Sequence, residues 1–261
     1  MSGLTVVSFG GGTDSTAMLI GMVERAEPPP HAILFGDTGG EFPHTYEHIR
    51  TFSDWLVTHN YPAVHSLRRN KKDGSWESLE DECLRIRSLP SIAYGYKTCS
   101  QKFKIEPQDK WCNNDPGLRA EWKVGRKVRK LIGYDWDEFY RAKFYDDKKY
   151  TYEYPLIDWR WRRKDCVEAI ARAGLKQPRK SSCFFCPHMR PDEIRTMRDQ
   201  YPDLLDRALA MEAGAKLTSI AGLGRDWSWR AFLQQGDLPL MDTKTDRSAI
   251  DCNCFEAGET L

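Results

Sequence analysis

The chain has 261 residues, 40% of them hydrophobic and 30% charged, with 39 basic and 38 acidic side chains and a net charge of +1. That length suffices for one large or two small domains with a sizeable core, and the even balance excludes a grossly basic polyanion binder while leaving room for local patches. No apolar run approaches the ~18 residues of a membrane span, and the N-terminus lacks a basic-then-apolar signal pattern, so a cytoplasmic setting is expected.

Thr5, Val6 and Val7 open a short β-branched run that predicts a buried strand. Gly10, Gly11 and Gly12 follow, and then Asp14, Ser15 and Thr16 lead into an apolar-periodic segment that predicts a helix over residues 15–25. Glycines let the backbone turn tightly and approach a ligand, and the helix start offers free N–H groups and the positive dipole end to phosphate. No Lys precedes Lys71, which excludes a Walker loop, and Ser15 occupies the third glycine position of the dinucleotide fingerprint.

Pro28, Pro29 and Pro30 form a rigid connection to a second strand at 32–35, which runs into Asp37, Thr38 and Gly39. A helix is predicted from 43 or 44 to 59, with Tyr46, Ile49, Phe52 and Leu56 on one face, and a third strand at 63–67. Strands alternating with helices imply a doubly wound parallel sheet with ligands beyond the strands' carboxyl ends. The basic run from Arg68 to Lys72 reads either as a solvated loop or as a phosphate contact at the rim of the site. A helix is expected over 78–87.

Residues 97–107 carry Cys99 among Lys97, Lys102 and Lys104, three cations that either meet phosphate or form a solvated face. A further strand and turn cover 130–135, an acidic-to-Arg segment covers 137–141, and alternating Tyr150, Tyr152 and Tyr154 suit another strand. Trp159, Arg160, Trp161, Arg162 and Arg163 interleave aromatic rings with positive charge, either to stack bases or to pack Trp on the core with Arg in water. Helices follow at 164–173, 192–200, 202–212 and 228–235.

The chain has eight Cys, which in a reducing compartment argues for metal or redox chemistry over disulfides. Cys183 and Cys186 are spaced C-x-x-C, so both sulfurs can reach one ion from a single turn; the spacing fits zinc, an iron–sulfur cluster or a redox dithiol. Cys252 and Cys254 lie near the end of the chain.

The run Ser8-Phe9-Gly10-Gly11-Gly12-Thr13-Asp14-Ser15 resembles the S-x-G-G-x-D-S loop of PP-loop ATP pyrophosphatases. Asp37-Thr38-Gly39-Gly40-Glu41-Phe42-Pro43-His44-Thr45-Tyr46 resembles the D-T-G-x-x-F-P-x-T-Y segment of the PAPS reductase-like branch of that superfamily. The segments around Cys99, from Lys104 to Pro107 and from Tyr154 to Leu156 are similar to further stretches of the same branch. The resemblance implies an α/β fold: a Rossmann-like, doubly wound, mostly parallel sheet of the PP-loop/HUP type with a mainly helical C-terminal extension. The domain expectation is a nucleotide-binding unit at 1–180 and a helical region carrying the C-x-x-C at 181–261.

The same resemblance implies ATP with Mg²⁺ over Ser8, Gly10, Gly11, Gly12, Thr13, Asp14 and Ser15, with Asp37, Thr38 and Gly39 contacting the nucleotide. Asp14, Ser15 and Lys104 are the expected catalytic residues. Cys99, Cys183 and Cys186 are expected to hold a [4Fe–4S] cluster, with zinc as the alternative. The expected partners are an adenine nucleotide, a nucleic-acid or small-molecule acceptor, and a sulfur donor or thiol reductant, with no membrane. Sulfate-activating reductases of the branch carry a Cys-Cys pair where this chain has Cys99 and Ser100, and their E-C-G-L-H-type tail is replaced by Asp251-Cys252-Asn253-Cys254. Adenylation for sulfur insertion, as in tRNA-thiolating and DNA phosphorothioation enzymes, is therefore preferred to sulfonucleotide reduction; a nucleotide-binding module with a structural zinc is the third reading.

Overall fold

A computed structural model of the chain describes residues 3–90, 92–93, 96–143 and 147–235. Cys252 and Cys254 lie outside the described residues.

Strand β1 (Thr5–Ser8) leads into helix α1 (Thr13–Glu24), and β2 (Ala32–Asp37) into α2 (Pro43–Thr58). Strand β3 (Val64–Arg68) is followed by α3 (Leu79–Ile86), which Ser78 and Asp81 start with a reciprocal capping box. A two-stranded antiparallel ribbon, β4 (Ile92–Ala93) with β5 (Tyr96–Lys97), precedes a long helical stretch. That stretch is α4 (Thr98–Ser100), a π-helical run Gln101–Ile105 and α5 (Glu106–Asn114), and α6 (Pro116–Lys123) follows it. Next come β6 (Val128–Ile132), a 3₁₀ segment Trp136–Arg141 and β7 (Tyr150–Glu153). The chain continues through α7 (Pro155–Asp158), α8 (Arg163–Arg172), α9 (Pro191–Gln200), α10 (Pro202–Gly214) and α11 (Trp229–Gln234).

The five long strands form one sheet in the order β3-β2-β1-β6-β7, and every pair is parallel. With β1 central and buried at every residue, its run of β-branched side chains packs on both faces. Helix α1 is buried nearly all round and sits between the sheet and α8. Helix α2 buries Ile49, Phe52 and Leu56, the expected stripe. The fold is thus α/β, doubly wound and Rossmann-like, with a helical C-terminal part. Among the described residues, no helix is long and apolar enough to cross a membrane.

Trp159 and Trp161 lie against Gly21 of α1, where a Cβ would come within 2.5 Å and 3.0 Å of their rings. Arg25 covers both rings, at 4.1 Å and 5.0 Å from their centroids. The tryptophans of this basic-aromatic stretch therefore pack on the core. A second apolar core joins Phe42, Leu79, Cys83 and Phe103 to Phe184, Phe185, Met197, Met211 and Trp229, so α9–α11 share one interior with the loops beyond β2 and β3.

Candidate functional site

In an open parallel sheet, ligands bind beyond the carboxyl ends of the strands where the winding direction reverses. Here that place lies between β1 and β6, whose following loops meet there. After β1 the chain passes Phe9 and Gly10, turns at Gly11 with φ +70°, and enters α1 from Gly12. Gly12 caps α1 without a side chain, which leaves backbone N–H groups of the first turn facing outward as donors. After β6, Gly133 presses on the same turn: a Cβ at Gly133 would stand 2.7 Å from Ser15 Cα and 2.8 Å from its nitrogen. Only glycine permits that approach.

Ser15 Oγ accepts the Gly10 N–H at 3.2 Å and donates to the Gly12 carbonyl at 3.4 Å, closing the loop on itself. Thr16 is hydrogen-bonded to His48 at 3.0 Å. Burial lowers the pKa of His48 to about 4, which holds the ring neutral. Asp14 meets the Arg163 guanidinium of α8 at 2.8 Å. Burial raises its pKa to about 7; Arg163 pulls it down, while Asp135 and Glu138 push it up. Asp135 caps the 3₁₀ segment by accepting the N–H groups of Asp137 and Glu138, and burial raises its pKa too. The crevice therefore combines outward N–H donors with the carboxyls of Asp14, Asp135 and Glu138 and the guanidinium of Arg163.

Asp37 is buried and engaged. Oδ1 accepts the Gly39 N–H and the Tyr46 hydroxyl, each at 2.8 Å, and Oδ2 accepts Arg68 Nε at 2.8 Å. Thr38 accepts the Gly40 N–H at 3.2 Å and lies 3.1 Å from Cys183 Sγ. Gly39, at φ +74°, packs against Ser78 and Trp76. The Asp37–Gly39 turn thus braces the C-x-x-C loop and β3.

Lys104 pairs with Glu41 at 3.0 Å, both side chains buried, where the π-helical run crosses β2 at Gly36. Ser181 links this pair to the glycine loop by donating to the Gly10 carbonyl at 2.8 Å and reaching Glu41 Oε2 at 3.4 Å. Ser8 at the end of β1 donates to Gln108 Oε1 of α5 at 3.0 Å. Lys102 pairs with Glu82, and the loop after β3 is neutralised too: Arg69 reaches Glu77 at 3.3 Å and Glu82 at 3.4 Å, and Lys71 lies 3.6 Å from Glu77. The run from Arg68 to Lys72 is exposed at Arg68, Lys71 and Lys72, as a solvated loop would be, while Arg69, Lys102 and Lys104 are drawn to buried carboxylates.

Cys183 and Cys186 sit on one turn, closed by the Cys186 N–H to the Cys183 carbonyl at 3.0 Å. Burial pushes the Cys183 thiol well above its usual pKa; Glu41 and Cys99 act in the same direction, against Lys104. Cys83 of α3 is a neighbour as well, its pKa raised to about 12 by burial first and by Glu82 and Cys99 after it. Cys99 is thus an electrostatic neighbour of both Cys83 and Cys183. Among the described residues, no three or more His, Cys, Asp or Glu side chains are gathered closely enough to hold a metal ion.

The structure therefore brings Ser8, Gly10, Gly11, Gly12, Thr13, Asp14 and Ser15 together at the crevice, and sets Asp37, Thr38, Gly39, Lys104, Cys99 and Cys183 in the layer behind it. Sequence reasoning missed Arg163, Ser181, Glu41 and the pressing contact of Gly133. Arg163 lay inside a segment already noted for its charge, and Gly133 ends a predicted strand; the other two carried no local signal.

No family model matches the chain. An uncharacterized protein of Methanocaldococcus jannaschii is 23% identical over 218 residues, covering 77% of this chain. The chain spans 40% of that relative's length.

Proposed function

We propose that the chain is a PAPS reductase-like PP-loop enzyme that binds ATP and adenylates an acceptor with release of pyrophosphate. The observation that carries the reading is the uncapped first turn of α1 in the crevice between β1 and β6, reached through Gly10–Gly12 and pressed by Gly133. Outward N–H groups there would bind the β- and γ-phosphates and stabilise charge on the leaving pyrophosphate, the electrostatic contribution that usually dominates such catalysis. Ser15 would turn its hydroxyl from the loop carbonyl to a phosphate oxygen. The acceptor nucleophile forms a bond to the α-phosphorus, and the bond to the pyrophosphate oxygen breaks with its electron pair.

Asp14 would help position Mg²⁺, because its carboxyl adjoins the loop with Asp135 and Glu138 near it, beside the Arg163 guanidinium; the ion would neutralise phosphate charge. Lys104 acts at one remove, holding Glu41 and through Ser181 the Gly10 carbonyl. Cys99, Cys183 and Cys186 are not gathered at ligand distance in this structure and would have to close on the [4Fe–4S] cluster, or zinc, of this reading; a cluster would supply a site for sulfur handling. Thr38 supports the Cys183 thiol in either case.

Incubation with Mg²⁺ and ATP labelled at the α-phosphate tests the reaction. Pyrophosphate is expected in an amount equal to the labelled AMP and adenylated acceptor together, with at least a hundredfold loss in Ser15→Ala, the scale of removing one transition-state donor. Release of ADP and phosphate instead would overturn adenylation.

A further inference from the structure

Beside the cysteine turn, two side-chain nitrogens are buried with no hydrogen-bond partner, the Lys97 ammonium Nζ and Nε2 of the neutral His188 ring, which donates in one tautomer. Lys97 ends β5, two residues before Cys99, and His188 follows Cys186 by two. The positive charges of Lys97, Lys180 and Arg225 all bear on the His188 ring, so the three cations lie near it. Lys180 is held by Glu193 at 3.2 Å. The other carboxylates of the surrounding elements are committed: Glu41 to Lys104 and Glu82 to Lys102.

A buried donor without an acceptor costs about 1–3 kcal/mol, and a buried charge without a partner costs more. Two such unpartnered nitrogens within electrostatic reach of each other, with further cations near them, are explained by an anion that belongs among them. Their position fits that explanation. Ser181, next to Lys180, is bonded to the Gly10 carbonyl, so the segment carrying Lys180 is tied to the start of the glycine loop. Lys97, Lys180 and Arg225 are cations with no acceptor atoms, so the cluster as a whole suits an anion.

We propose that Lys97, His188, Lys180 and Arg225 form a subsite for a phosphate group of the acceptor. The inference rests on the reading of the chain as an adenylating enzyme and adds the chemical class of its second substrate. Lys97 and His188 supply the dry inner donors; Lys180 and Arg225 stand at the rim, where Arg225 is exposed. The phosphate belongs either to a nucleic-acid backbone or to a small phosphorylated molecule.

Calorimetric titration of the full chain with inorganic phosphate and with a short single-stranded DNA oligonucleotide tests the subsite, alongside thermal protection by ATP. Lys97→Gln, His188→Gln and Arg225→Gln are each expected to weaken binding of the probe at least tenfold while leaving ATP protection unchanged. Arg225 is exposed, so Arg225→Gln remains informative where a buried variant fails to fold. An oligonucleotide that binds much more tightly than phosphate supports the subsite and identifies the source as a nucleic-acid strand, with a salt slope about one unit smaller in each Lys or Arg variant. Equal affinity for both probes supports the subsite and identifies a small phosphorylated acceptor. Wild-type protein that binds neither probe, or variants that bind like wild type, overturn it. Absent ATP protection with probe binding still lost in the variants sinks the nucleotide reading alone.

Discussion

Asp14 is the residue on which folding and chemistry pull apart. Its carboxyl is held to a pKa of about 7 by burial, against an ordinary value of 3.8. A raised acid pKa means the unfolded chain loses its proton first as pH rises. The contribution of Asp14 to stability is therefore neutral below about pH 4 and becomes increasingly unfavourable up to about pH 7. The penalty reaches at most about 4 kcal/mol, since one pKa unit corresponds to about 1.4 kcal/mol. Asp14→Asn should then melt no lower than wild type at pH 8, even though it weakens the bond to Arg163, while pyrophosphate release falls at least tenfold. Urea melts at pH 4 and pH 8 check this; a variant destabilised equally at both would make Asp14 a structural cap.

The legibility of the site at this scale follows from distance along the chain. The glycine loop was readable because its turn, donors and helix start are contiguous. Asp14 and Arg163 are 149 positions apart, and Ser181 and Gly10 are 171 apart, so no window of sequence contains either pair. The pairing of Lys102 with Glu82 and of Lys104 with Glu41 was hidden for the same reason, since those carboxylates come from other elements.

Among the elements, those with a clean period were legible. Helix α2 carries its apolar stripe at helical spacing, and β1 and β2 are buried apolar runs. The stretch from Gln101 to Lys123 was not assigned. Its buried face includes Lys104, Gln108 and Pro107, which no hydrophobic pattern announces.

The end of the described chain depends on one carboxylate. Glu212 of α10 accepts the N–H groups of Leu223, Trp229 and Arg230 at 2.8, 2.9 and 3.1 Å and the Ser228 hydroxyl at 2.6 Å. It thereby pins the loop and the start of α11 onto α10. Removing it strands several buried donors, each worth about 1–3 kcal/mol. Glu212→Ala should cost on the order of 3–5 kcal/mol, and Glu212→Gln less, because one acceptor oxygen survives. Chemical denaturation measures both; a loss under 1 kcal/mol in Glu212→Ala would show that α11 is held by Trp229 packing alone.

At the scale of the molecule, a parallel sheet presents the nucleotide crevice, and a second core ties α9–α11 to the loops behind it. That second core carries Cys83, Cys99 and Cys183, so a metal held there, as proposed, would be coupled to packing of the helical part. Protein purified without oxygen should contain iron, and Cys99→Ala, Cys183→Ala and Cys186→Ala should each lose it. Zinc in its place would leave the adenylation reading intact and remove the cluster. Full metal retention in Cys99→Ala alone would assign that thiol to the substrate side.

The central claim is that the Gly10–Ser15 loop holds an adenine nucleotide, and thermal unfolding in the presence of Mg²⁺ with ATP or GTP tests it most directly. A ligand at a hundred times its dissociation constant stabilises the folded chain by about 2.7 kcal/mol. ATP should raise the melting temperature of the wild-type chain and GTP should not. Gly133→Ala, whose new Cβ would displace the Ser15 backbone, should abolish the ATP shift. Equal shifts from ATP and GTP, or an ATP shift that survives Gly133→Ala undiminished, would contradict an adenine-nucleotide site at this loop.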